Sequence, residues 1–376
     1  MLELFISCYV VLFIGMKRKF IYAIALMIAL TSCNKKGCTD PQATNYNEHA
    51  QADDGTCNYE SQYENLITGA ITENTTLTSD KIWTLQGRVS VTSGTTLTIE
   101  PGTIIKAVAG TGANASCLII ARGATINAQG TAQQPIVFTS VIDDIVPGNV
   151  NNSSVGSLVN GLWGGVIILG NATISAPGNI ESMQIEGIPA SDINGLYGGN
   201  DDDDNSGVLS YVSIRHGGAN IGAGNEINGL TLGGVGSGTT IDNIEIIANQ
   251  DDGIELFGGT VNVSNLVVWG AADDCVDIDQ AYNGDIDHVV IIPSTSTDHV
   301  MEIDGGEGAT NAPFTLTNVS VIGADAQAHI RAEAIGVISL YGDVNVEMDP
   351  DTNVILDSLL SAPNQDYSWT YTFNNN

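Results

Sequence analysis

The sequence is poor in basic residues. Its 376 residues include 11 Lys and Arg against 43 Asp and Glu, which gives a formal net charge of −32. Because proteins bind nucleic-acid phosphates through clustered Lys and Arg, this balance excludes a nucleic-acid partner. It favours solubility and, where carboxylates cluster, the binding of cations.

Aromatic residues are also scarce, at 6%, whereas hydrophobic residues reach 43% and glycine occurs 43 times. This apolar content excludes an acidic disordered chain. From about residue 65 onward no convincing helical pattern occurs. Short runs with alternating apolar residues, separated by Gly, Asn and Asp, predict strands joined by tight turns.

The apolar run near the N-terminus is shorter than an ordinary membrane span and fits a secretory signal peptide in residues 16–32. The stretch LTSC that ends at Cys33 resembles a bacterial lipobox. This resemblance implies lipidation of Cys33 and a lipid-anchored protein of the cell envelope, at the outer membrane or cell surface. Residues 1–15 precede a better start at Met16, which we expect to be the initiator; the alternative is a two-segment membrane anchor.

Cysteines flank a short segment rich in Asn, Asp and Gly between Cys38 and Cys57. So small a unit has no core of its own, and we expect a disulfide between these two residues. Residues 33–64 are therefore predicted to be a lipidated spacer in an oxidising compartment. Cys117 and Cys275 lie in apolar strands, where core packing is expected.

Residues 65–376 contain an internal repeat. Equivalent positions of four segments follow one another after 22, 23 and 30 residues: Ile244, Leu266, Val289 and Val319. An all-β repeat near 22 residues with several short strands predicts a right-handed parallel β-helix with terminal caps. A β-sandwich is the alternative, but its strands do not repeat at a fixed period.

Several segments of this domain, among them GTTLTIEPGTIIKA, QPIVFTS and TIDNIEIIANQDDGIELFGG, resemble a family of Bacteroidota envelope lipoproteins. Members of that family have right-handed parallel β-helices. The resemblance covers nearly all of residues 65–340. It implies the fold and the envelope location but no particular activity.

Stacking of the coils brings acidic residues into columns. The period places Asp252 over Asp274, and Glu255 over Asp277 and then Glu302. Carboxylates about 5 Å apart repel by roughly 1 kcal/mol per pair in water. Arg331 is predicted in the register of Glu302, where it would pair with one end of the column.

One interpretation of the acids is enzymatic. In their order they resemble the motifs of polygalacturonase-type β-helix hydrolases, which implies a catalytic set of Asp252, Asp273, Asp274, His299 and Arg331. This sequence departs from that pattern, because Val follows His299 where Gly is expected and Glu333 replaces a substrate-binding Lys. No Lys follows Lys106, which also disfavours a lyase.

A second interpretation is structural calcium, since stacked turns supply hard oxygen ligands. The candidate ligands are the loop Asp201, Asp202, Asp203 and Asp204, or the pair Asp252 and Asp274. A transition metal is not expected, because the five His are scattered along the chain. The third interpretation gives the acids no ligand, because Asp and Asn favour the tight corners of each coil.

Together these patterns favour a non-catalytic, envelope-anchored β-helix that binds extracellular polysaccharide or serves as an adhesive or scaffold surface. Trp269 and Tyr282 are candidates for stacking on sugar rings. The alternative is a polysaccharide hydrolase or lyase that uses the stacked aspartates. Apart from calcium no cofactor is expected, and nothing in the sequence indicates an oligomeric state.

Overall fold

The computed structural model describes residues 35–360, except 42, 44, 57–62, 113–114, 152, 221–226 and 324–325, and without the side chains of 358–360. The chain divides into two compact units, Met1–Gln62 and Tyr63–Asn376. In the first unit the described residues form mainly turns and bends, and Cys38 is buried. Cys33 and Cys57 lie outside the described residues, so lipidation and the Cys38–Cys57 disulfide stay predictions.

The second unit consists almost entirely of short strands. In chain order these are β1 (Leu66–Ile71), β2 (Thr75–Leu77), β3 (Ile82–Val91), β4 (Thr96–Ile99), β5 (Ile104–Ala107), β6 (Cys117–Ile120), β7 (Thr125–Gln129), β8 (Ile136–Ser140), β9 (Val166–Leu169), β10 (Met183–Gln184), β11 (Leu196–Tyr197), β12 (Gly207–Arg215), β13 (Leu230–Gly233), β14 (Thr240–Ile247), β15 (Ile254–Phe257), β16 (Asn262–Trp269), β17 (Val276–Asp279), β18 (Asp285–Ile292), β19 (Met301–Ile303), β20 (Phe314–Val321), β21 (Ala326–Ile330), β22 (Ile335–Tyr341), β23 (Val344–Met348) and β24 (Asn353–Leu360). Twenty-two of them form one sheet, while β10 and β11 pair antiparallel with each other.

The large sheet winds into a parallel β-helix, as predicted. Long strands such as β14, β16 and β18 supply two columns of stacked strands from their two halves, and β13, β15, β17 and β19 belong to a third column. The predicted register is confirmed by direct pairing of Ile244, Leu266, Val289 and Val319. Among the described residues no α-helix occurs, and no helix there has the length and apolar character needed to cross a bilayer.

One residue in the left-handed region bends each of β12, β14, β16, β18 and β20 between its two halves. The corner residues are Tyr211, Asn243, Asn265, His288 and Asn318, with φ between 51° and 59°. Asn suits this position because its short side chain tolerates left-handed geometry. The Asn265 amide also donates to Asp242 Oδ1 of the preceding coil at 2.8 Å. One Asn therefore both makes the bend between the two half-strands and ties it to the preceding coil.

The interior of the coil is filled by Val, Ile and Leu side chains that point inward from all three columns. Cys275 belongs to this core, as expected. Cys117 is equally buried, and burial raises the pKa of its thiol to about 12. Both cysteines are therefore held as inert thiols.

Two excursions leave the coil and cover parts of its outer surface. The first excursion (141–165, between β8 and β9) packs Ile145 against Val137 on the second column. The second excursion (170–206, between β9 and β12) packs Ile185 and Tyr197 over the outer face of the third column. Its apolar cover extends as far as Phe257 on β15. Beyond that residue the outer face of the third column is acidic.

Candidate functional site

Outward side chains of the third column form a surface that we call the acidic face. Its members lie on β15, β17 and β19 and in the adjoining turns: Asp252, Glu255, Asp274, Asp277, Asp279, Glu302 and Asp304. Glu255 pairs with Asp277, and Asp277 pairs with Glu302, which confirms the predicted column. Since parallel strands lie about 4.8 Å apart, these carboxyl groups are close neighbours.

Asp252 and Asp274 connect successive coils. The backbone N–H of Asp274 donates to Asp252 Oδ1 at 2.9 Å. Asp274 Oδ1 in turn accepts the backbone N–H of His299 at 2.8 Å, and His299 Nδ1 lies 3.0 Å from the same oxygen. Both aspartates therefore fix the turns that precede β17 and β19. Asp273, by contrast, is exposed.

One end of the acidic face brings three acids together without a basic partner among them. Carboxylate oxygens of Asp252, Glu255 and Asp277 lie within 4.8 Å of one another. Burial, followed by the charges of neighbouring carboxylates, raises the pKa of all three well above the usual range. Ionisation of all three acids together is therefore unfavourable unless a cation compensates their charge.

The polar groups around these three acids leave oxygens without partners. The Asn228 amide donates to Glu255 from the coil before. Asn228 Oδ1 and Asp277 Oδ1 are buried and accept no hydrogen bond within the part of the chain that the structure describes. Because an unsatisfied buried oxygen is costly, it marks a place where a cation or water is expected.

The other end of the acidic face is partly neutralised. Arg331 Nε donates to Glu302 Oε1 at 2.6 Å and lies 3.1 Å from Asp304 Oδ1. The predicted register of Arg331 was wrong, since Glu302 pairs with His329 and Arg331 lies two residues further along. The long Arg side chain nevertheless reaches Glu302.

The pKa values of Asp274 and Glu302 are shifted in opposite directions. Burial, with a hydrogen bond to Glu302, raises the pKa of Asp274 to about 8. Burial alone would also raise the pKa of Glu302, but hydrogen bonds from Asp274 and Arg331 outweigh it and lower that pKa. A proton is therefore held on Asp274 beside an ionised Glu302 at neutral pH.

The Asp201–Asp204 loop is tied to the excursion and its neighbours by hydrogen bonds. Asp202 Oδ1 accepts the backbone N–H of Thr173 at 2.9 Å, and Asp204 Oδ1 accepts from Asn171 at 2.8 Å. Three clusters with metal-ligand spacing occur among the described residues, and none includes this loop. The calcium prediction therefore rests on the acidic face.

The two aromatic candidates have different surroundings. Tyr282 is 1% exposed, and its hydroxyl donates to Val261 O at 2.6 Å. The stacking prediction was wrong for Tyr282, because its ring belongs to the core. Trp269 is half-buried at the end of β16, on the second column rather than beside the acidic face.

Sequence reasoning missed two features. His329 was not singled out, yet it lies in register with Glu302 and its ring centre is 5.8 Å from that of His299. An ion pair joins Arg215 to Glu245, with Nη2 and Oε2 3.3 Å apart, and both residues are buried. Continuing the column from Glu302 to the next strand would have found His329.

A family model described as a pectate-lyase-like beta helix domain matches residues 69–339. The match covers most of the parallel coil, up to β22, and the whole acidic face. No curated protein and no solved structure matches the chain.

Proposed function

The chain belongs to the pectate-lyase-like β-helix family, and from that premise we propose that it binds an acidic polysaccharide through calcium held on its acidic face, without cleaving it. The observation that carries this proposal is the convergence of Asp252, Glu255 and Asp277 within 4.8 Å of one another. Ca²⁺ takes six to eight hard oxygens, so a protein site with few ligands leaves positions for ligand carboxylates.

Charge supports a bridging ion. A polysaccharide with carboxylate groups would be repelled by a protein whose formal charge is −32. Arg331 could not relieve this repulsion alone, because it is already engaged by Glu302 and Asp304. A calcium ion would offset the repulsion among the protein carboxylates and attract those of the glycan at the same position.

Cleavage is disfavoured because Asp252 and Asp274 already hold the backbone of the next coil. A lyase would also need a Lys or Arg base, which the acidic face lacks apart from Arg331. One observation favours hydrolysis as the second candidate function: protonated Asp274 beside ionised Glu302 resembles an acid and base pair. In that case Asp274 would be the general acid and Glu302 the base.

Binding of polygalacturonate, measured by calorimetry with calcium and then with excess EGTA, tests the proposal. We expect binding with calcium, at least a tenfold loss in EGTA, and no release of reducing ends. The double variant Glu255→Gln/Asp277→Asn should lose binding. Glu347→Gln is the control, because Glu347 is exposed on β23 at the end of the same column.

Binding that persists in EGTA would contradict calcium bridging. Reducing-end release that Asp274→Asn abolishes would establish the hydrolase instead.

We also propose that the protein is anchored in the cell envelope through Cys33. The support is the lipobox resemblance of LTSC directly after the signal-peptide-like segment. In cells labelled with a radioactive fatty acid, Cys33→Ser should abolish the label and release the protein from the membrane fraction. Retention of both would exclude this anchor.

A further inference from the structure

A cavity of about 590 Å³ lies where two early turns of the coil meet the second excursion. The turns after β3 and β6 contribute Ser93 and Arg122 to its lining, and the second excursion contributes Asn171, Asn194 and Leu196. The volume is in the range of sites that bind small molecules. None of the carboxylates of the acidic face lines this cavity, so it is a separate place on the molecule.

Arg122 gives the cavity a positive charge that no carboxylate neutralises. In the described part of the chain the other arginines, Arg88, Arg215 and Arg331, each pair with an Asp or Glu, whereas Arg122 pairs with none. Arg122 is half-buried in a protein whose formal charge is −32. A cation left without an acidic partner in such a chain attracts an anion from solution.

Two acceptors on the second excursion fix the Arg122 guanidinium. Its Nη1 donates to Gly198 O at 2.6 Å and to Ser182 Oγ at 2.9 Å. Among the described residues its Nε and Nη2 donate to none, and these two atoms form one edge of the planar group. Such an edge binds a carboxylate through two parallel hydrogen bonds. Because the group is already held in place, a ligand does not have to order it.

The other side chains of the cavity favour a ligand with hydroxyl groups. Asn171 Nδ2 donates to Asp204 Oδ1 at 2.8 Å. Asn194 Nδ2 donates to Asp192 Oδ1 at 3.0 Å. With both amide nitrogens engaged, the amide oxygens are the atoms that accept from ligand hydroxyls. Ile193 also lines the cavity and is 78% exposed, so it offers an apolar surface to the C–H face of a sugar ring.

We propose that this cavity binds a single uronic acid sugar, with Arg122 on its carboxylate, Asn171 and Asn194 on its hydroxyl groups and Ile193 against its ring. The site uses no calcium and goes beyond the function proposed for the acidic face, so each can be tested without the other. One ion pair and a few hydrogen bonds support weak binding, and we expect a dissociation constant on the order of 1 mM.

Ligand-observed NMR titration of the full chain with D-galacturonate, in buffer containing EGTA, tests the site. D-Galactose, which lacks the carboxylate, should bind at least tenfold more weakly, and so should D-galacturonate to Arg122→Gln. The double variant Glu255→Gln/Asp277→Asn should bind D-galacturonate as tightly as the unmodified protein. This result distinguishes the cavity from the acidic face, because that variant removes the calcium ligands and leaves Arg122 in place.

A second variant tests the cavity while keeping the contacts of Arg122. Ser93 is exposed and lines the cavity, so Ser93→Tyr should block it and weaken binding at least tenfold. Ser157→Tyr, at an exposed position of the first excursion, is the matched control and should bind normally. Thermal melting verifies that each variant is folded.

The proposal is overturned if D-galacturonate does not bind, if D-galactose binds equally well, or if folded Ser93→Tyr binds as tightly as Ser157→Tyr. Displacement of D-galacturonate by a lower concentration of inorganic phosphate would make the cavity a phosphate site and would also overturn the proposal.

Discussion

Glu245 and Glu255 lie ten residues apart on one coil and are almost equally buried, at 2% and 6% exposed. Glu245 receives the Arg215 guanidinium and the Ser213 hydroxyl. Glu255 receives one amide from Asn228 and faces Asp277 on the next strand. Among the residues that the structure describes, a cation is therefore supplied to Glu245, beneath the first excursion, and none to Glu255 on the acidic face.

Glu245 thus has a structural role, whereas Glu255 is available for a ligand. Arg215 Nη1 also donates to Val150 O at 2.9 Å, so the ion pair holds the first excursion on the coil. Burying an acid costs several kcal/mol, which a well-placed partner offsets. Where the chain has no partner, protons or a cation from solution must take that role.

The largest expected effect comes from breaking the structural pair. Glu245→Gln leaves the Arg215 charge buried without compensation, and we expect a loss of about 3–5 kcal/mol in the free energy of unfolding. Urea unfolding measures it. Glu347→Gln, at an exposed position, should change that free energy by no more than about 0.5 kcal/mol. A loss in Glu245→Gln no larger than that in Glu347→Gln would contradict the structural role of the Arg215–Glu245 pair.

A smaller effect is expected from pH in calcium-free buffer. The pKa values of Asp279 and Asp274 are raised from 3.8 to about 7 and about 8, burial being the main cause. Acids whose pKa is raised by folding contribute stability that is complete below the unfolded value and is lost as the pH rises through the folded value. The melting temperature should therefore fall progressively as the pH rises from about 4 to about 8.

Calcium should reverse this decrease, because it replaces the protons. Thermal melts at a series of pH values, with EDTA and with calcium, give the comparison. A melting temperature that rises with pH in EDTA would mean that the acids of this face are stabilised by something other than protons.

The smallest effect should come from Glu255→Gln, and its sign should be opposite to that of Glu245→Gln. Glutamine keeps an acceptor for the Asn228 amide and removes one charge from beside Asp277. We expect a gain of about 1 kcal/mol in calcium-free buffer above neutral pH. The additional stability conferred by calcium should also be lost. A destabilisation as large as that of Glu245→Gln would contradict the assignment of Glu255.

Much of the fold was predictable because the repeat is visible in the sequence as a regular spacing of apolar and polar residues. Apolar residues one coil apart, such as Ile244 and Leu266, must stack if each coil repeats the last, and the same period ordered Glu255, Asp277 and Glu302. The prediction was wrong for Arg331, which lies after the longest step of the repeat. There an insertion removes the constant spacing, and only backbone pairing defines the register.

Features that depend on distant segments were not predictable. The period does not reveal that the second excursion returns to cover the third column, nor that the first supplies Val150 O to Arg215. Tyr282 was expected at the surface because pattern alone does not reveal which corner of the coil turns its ring inward. The pairing of His299 with His329 likewise required the register of β19 and β21.

The one-residue corners at Asn243, Asn265 and Asn318 also determine where foreign sequence can be inserted. An added residue at such a corner would turn the following half-strand over, so that its apolar side chains would face water. The first excursion carries no such constraint at exposed Gly156. A peptide displayed at Gly156 should leave the coil intact, whereas the same peptide placed after Asn265 should prevent folding. The one-residue corners thus mark the positions that an insertion must avoid, and the first excursion offers a position that accepts one.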